Sequence, residues 1–115
     1  MAQPPAIDFN KLLQDVINAA KTTAGAEFPK IESSVSTGSQ QLVILAEDIA
    51  QKKALGQITD DEASMLLELQ HNSATAMFMA VEGISALAAE AVANAVIKVV
   101  ADTLNAALGT VIRLV

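Results

Sequence analysis

The chain has no cysteine, no tryptophan and no tyrosine, and three phenylalanines are its whole aromatic content. Without thiols it builds neither a disulfide nor a thiolate metal site. Its apolar side chains, 52% of all residues, are mainly Ala, Val, Leu and Ile. Such a core packs by close approach of small groups instead of aromatic anchors. Basic residues are scarce as well. Seven Lys and Arg against thirteen Asp and Glu leave a net charge of −6, and Lys52-Lys53 is the one basic pair. That balance argues against a basic nucleic-acid surface and against electrostatic capture by anionic lipid. The opening Met1-Ala-Gln-Pro-Pro carries no basic stretch ahead of an apolar run, so no signal peptide is read and a cytoplasmic location is expected. A length of 115 residues predicts one unit, with 1–6 as a flexible arm and 7–115 as a single helical domain.

Motifs for chemistry are missing in the same way. The sequence holds no nucleophile elbow, phosphate loop or dinucleotide fingerprint. His71 is the sole histidine, and a lone imidazole on a helix is far more often a polar surface or interface residue than a ligand or base. Asp60, Asp61 and Glu62 stand at a helix start, where capping accounts for them better than a cation does; calcium loops need alternating oxygens and a Gly turn. Glu82 and Glu90 lack the Glu-x-x-His partners of a di-iron bundle. No catalytic residue, metal ligand or cofactor is predicted, and an enzyme is not expected.

Hydrophobic spacing is what the sequence does contain. Asp8 is placed to cap a helix in which Phe9, Leu12, Leu13, Val16, Ile17 and Ala20 share one side. Pro29 forces a kink or short break before it and suits the first turn of the next helix. From there Phe28, Ile31, Val35, Gly38, Leu42, Leu45 and Ile49 keep a spacing of three and four through a serine-rich middle, a heptad seam of the coiled-coil type. Gly38 in that seam is expected to admit another backbone. Gly56 fits the left-handed position after a helix end, with Lys52 and Lys53 near the negative end of the helix dipole. Thr59 and Glu62 form a capping box that starts a new helix.

Beyond Thr59 no proline occurs, and the residues to Ile112 read as one Ala-rich helix, roughly 75–80 Å long, or as two helices joined near Gly83. In its second half Asn94, Lys98, Asp102, Asn105, Gly109 and Arg113 gather on one narrow arc, and the remaining circumference is apolar. A helix apolar on so many sides needs several neighbours, or lipid. Insertion of Gly83–Ala101 is disfavoured: Glu90 and Lys98 cost ~5–7 kcal/mol, and the Ile, Leu and Val residues of that window return only ~2–4 kcal/mol. Small residues at Ser85, Ala89 and Ala93, and at Ala91 and Ala95, suit close helix contact in water or in lipid.

These features predict an all-α fold, a long antiparallel helical hairpin with a kinked first arm, the alternative being a compact four-helix bundle with a turn at Gly83-Ile84-Ser85. A two-helix hairpin cannot bury this much apolar surface alone, so a homo-oligomer is expected. Its interface is expected at Leu42, Leu45, Ile49, Met77, Val81 and Ile84, and on the last segment at Val92, Val96, Val100 and Leu104. The function expected is that of a self-associating structural or scaffolding protein. A membrane-active protein that inserts as an oligomer is the alternative.

Overall fold

Asp8 opens the first helix as the spacing requires: its carboxylate accepts the Lys11 amide at 3.0 Å. The computed structural model describes residues 7–109; the proposed N-terminal arm, and the helical continuation to Ile112 with Arg113, lie outside them. All elements among the described residues are helical. Helix α1 is Phe9–Ala24, α2 is Phe28–Ala54, α3 is Asp60–Met79 and α4 is Ala86–Leu108. A short 3-10 turn, Gly25–Glu27, separates α1 from α2, and Pro29 sits in the first turn of α2. There its missing amide donor would have had no helical partner anyway.

The serine-rich middle of α2 is helical. Ile31, Val35, Leu42 and Ile49 are buried along the seam, and Val43, Ala46 and Ala50 widen the buried stripe towards the C-terminal end. Gly38 is buried too, but the groups that meet it are side chains. A β-carbon there would stand 3.7 Å from Met77 Sδ and from the Phe78 ring, both ordinary contacts. The expected close passage of a backbone is thus replaced by an aromatic ring filling the space.

The α2–α3 turn closes as its residues dictate. Gln57 donates to Lys52 O at 2.8 Å and Gly56 to Lys53 O at 3.1 Å, the two bonds of a Schellman ending, with Gly56 at φ +69°. Thr59 Oγ1 accepts the Glu62 amide and Glu62 Oε1 accepts the Thr59 amide, at 3.1 and 3.0 Å. Lys53 pairs with Asp60 across the turn.

The stretch after Thr59 is not one helix. It leaves the helical path after Met79 and resumes at Ala86. Gly83 has φ +87°, and the Ser85 hydroxyl caps α4 by accepting the Ala88 amide at 3.1 Å. The longest extent of the described molecule is 50 Å, too short for a single helix of ~75–80 Å.

The pairing of helices follows from contacts at their ends and middles. Lys53–Asp60 at one end and a bond from Lys30 Nζ to Gly83 O, 3.2 Å, at the other set α2 and α3 antiparallel. His71 Nε2 and Asn94 Oδ1, 2.6 Å apart, join the middles of α3 and α4. The start of α1 lies beside the last turns of α4, where Ile7, Lys11 and Leu12 share a groove with Thr103 and Ala107. Helix α4 touches all three other helices, whereas α1 and α3 do not touch. The cross-section, 24 by 17 Å, is that of a flattened rhombus with α2 and α4 across its short diagonal.

This arrangement meets the demand that α4 be covered on several sides. Ala89, Val92, Ala93, Val96, Ile97, Val100, Ala101 and Leu104 are all buried, against helices of the same chain. Its polar arc, with Glu90, Asn94, Lys98 and Asp102, faces outward.

Candidate functional site

Burial sorts the residues expected at an interface into two groups. Leu42, Ile49, Val92, Val96, Val100 and Leu104 lie in the chain's own core. Leu45, Met77, Val81 and Ile84 are half-buried and pack against that core. Periodicity identified them as residues that must be covered; the chain itself buries the first six and half-covers the other four.

A different set remains uncovered. Ile44 is 67% exposed, Leu55 66%, Met65 62% and Leu69 64%. Helical spacing puts Ile44, Asp48 and Leu55 on one outward stripe of α2, and Met65 and Leu69 one turn apart on the outward side of α3. The antiparallel register of these helices sets Ile44 level with Leu69. The bond between Gln41 and Gln70, 3.5 Å, marks the seam between them, and half-buried Leu45 and Leu66 form its floor. The result is an apolar face on the α2–α3 side of the molecule. Two further exposed apolar residues, Met79 and Leu87, stand apart at the α3–α4 end.

The charges around this face are partly engaged. Lys52 pairs with Asp48 at 3.0 Å, both half-exposed. Glu47, Asp61 and Glu68 are exposed and have no ion-pair partner among the described residues. The sequence does carry a signal for this face. Ile44 and Leu55 recur at the helical period on a second, outward stripe of α2, but the longer inward seam dominates the pattern and hides it.

Among the described residues, two of the grooves offer places for chemistry by what lines them. The first, about 390 Å³, lies between the start of α1 and the end of α4. Its charged groups are engaged: Asp8 caps α1, and Lys11 bonds to Asp15 at 2.9 Å. The second is shallow and lined by Pro29, Glu32, Ser33, Ser36 and Thr37, one carboxylate with hydroxyls and no base beside them. His71 lines neither groove and is held by Asn94. Among the described residues no group of three or more His, Cys, Asp or Glu is placed to hold a metal ion. No described helix is long and apolar enough to cross a membrane.

Comparison with protein families, with curated proteins and with solved structures finds no match. What the molecule offers to a partner is therefore read from its own surface.

Proposed function

We propose that this chain is a non-catalytic helical interaction protein that self-associates, and that its scaffold is a compact four-helix bundle. The observation that supports the interaction role is the apolar α2–α3 face. Scattered single apolar residues are normal on a surface, but a contiguous group marks a contact site. Fully burying a Leu, Ile or Met is worth about 1.5–3 kcal/mol, and each of these is already about one-third covered. Two copies joined through this face would gain on the order of 8–16 kcal/mol from their eight side chains. Bringing two chains together costs roughly 4–15 kcal/mol. The association expected is reversible and sensitive to concentration.

Light scattering after size exclusion, without detergent, tests this directly. Twice the mass of one chain, falling towards one chain mass on dilution, is the expected result. A single chain mass at every concentration would remove the self-association reading. The scaffold has its own test. With α1 folded back along α2, spin labels on the exposed residues Asn10 and Gln51 lie at the same end of the molecule, about 25 Å apart or less once label length is added to the ~8–10 Å helix spacing. In a long hairpin with both helices pointing the same way, the 41 residues between them would span ~60 Å. Labelled chains are diluted with unlabelled ones so that only distances within a chain are read.

A further inference from the structure

We infer that the occupant of the α2–α3 face is a second copy of this chain packed antiparallel, so that Asp48 of each copy faces Lys52 of the other; this presupposes the self-association proposed above. The outward stripe of α2 has an apolar residue at each end, Ile44 and Leu55; between them Asp48 lies on the stripe and Lys52 on its α3-facing flank, joined to Asp48 at 3.0 Å. A two-fold axis through the middle of that stripe, perpendicular to the helix, exchanges its ends. Asp48 then stands opposite Lys52, Lys52 opposite Asp48, and Ile44 beside Leu55.

The same rotation places Leu55, on the rim of the α2–α3 turn, against the level pair Ile44 and Leu69 of the other copy. Each copy thus inserts its turn between two apolar side chains of its partner, and Met65 lies near the centre. The parallel orientation would set Asp48 against Asp48 and Lys52 against Lys52, which like-charge repulsion opposes. The ion pair now within one chain, Asp48 with Lys52 at 3.0 Å, changes in solution to a ring of four alternating charges shared by two chains. Neither group has to be buried unpaired, since both are about half-exposed before contact.

The area is also of the right order. Four side chains per copy, each about two-thirds exposed, supply the apolar part, and Gln41, Asp48, Gln51 and Lys52 add polar area to it. A contact of this kind falls at the small end of specific interfaces, below roughly 1,200 Å² in total, which fits a weak dimer better than a permanent one.

The experiment is sedimentation of the full chain and of exposed-site variants. Leu69→Lys should weaken the dimer about tenfold or more, with the helical circular dichroism unchanged. Asp48→Lys and Lys52→Asp, each alone, put like charges across the two-fold axis and should be largely monomeric. The double variant Asp48→Lys/Lys52→Asp restores opposite charges across the axis and should dimerise with itself but not with the wild-type chain, as read by native mass spectrometry; a parallel register would instead favour the mixed dimer. A mixed dimer of the double variant with the wild-type chain, preferred over either homodimer, overturns the antiparallel register. A wild-type dimer that Leu69→Lys leaves unchanged overturns this face as the contact, while self-association itself stands. A wild-type chain that remains monomeric removes self-association altogether and with it this inference.

Discussion

The α1–α4 side of the molecule and the α2–α3 side are built from the same kind of residue and end differently at their surfaces. On α1 the outward positions are Asn10, Lys11, Gln14, Asn18 and Lys21, and along the body of α4 they are Glu90, Asn94, Lys98 and Asp102. Every large apolar residue of those stretches is turned inward or half-covered. On α2 and α3 the inward stripe is equally apolar, yet Ile44, Leu55, Met65 and Leu69 are left outside. Both sides supply a core, and the second keeps an extra apolar layer that its own fold does not use. The difference teaches that mean hydropathy alone misleads: α4, the most apolar helix, has the more conventional surface along its body, and the less apolar α2 and α3 carry the uncovered face.

Charge substitutions on the two sides should break this comparison if it is wrong. Val96 is buried on α4. Val96→Asp should destabilise the fold by more than about 4 kcal/mol, because it leaves an unpaired charge among apolar groups. Leu69→Asp, on the uncovered face, should change monomer stability by less than about 0.5 kcal/mol. Urea unfolding followed by circular dichroism reads both, and similar losses for the two would abolish the distinction. The helix starts offer a finer contrast. Ser85→Ala removes the cap of α4 and should cost about 1 kcal/mol. The smallest change expected is a gain: Gly38→Ala places its methyl at ordinary contact distance from Met77 and Phe78 and should stabilise α2 by about 0.5–1 kcal/mol. A loss on thermal melting would mean that the Phe78 ring cannot yield the space.

Much of this fold was legible because its signals are local. Asp8, Pro29, Gly56 and the Thr59–Glu62 box each act within a few residues, and each stands where the spacing put it. The seam of α2 was legible for the same reason, even through its serines. The break between Met79 and Ala86 was legible only as the alternative, a turn at Gly83-Ile84-Ser85. One glycine in an Ala-rich stretch is a weak stop signal, about 1 kcal/mol against Ala, and Ser85 becomes a cap only once the chain has turned. What tips the balance is long-range: Lys30 of α2 holds the Gly83 carbonyl, and the cover on α4 exists only after α1, α2 and α3 have closed around it. The same gap explains the interface residues. Val96 and Leu104 had to be covered by something, and spacing along one helix cannot tell a helix of the same chain from one of another.

The most extensive contact between helices joins α1 to α4, the first and last of the described elements. During synthesis at roughly 5–20 residues per second, Leu12, Val16 and Ala20 must therefore wait several seconds before their principal partner leaves the ribosome. Until then α1 and the inner stripe of α2 are exposed together, and a nascent chain arrested before α4 should be a target for chaperones or proteases instead of a stable three-helix remnant. Maturation of this protein is thus set by the arrival of α4, and shortening the chain into that helix should reduce its abundance in a cell well before it affects any contact on the outer face.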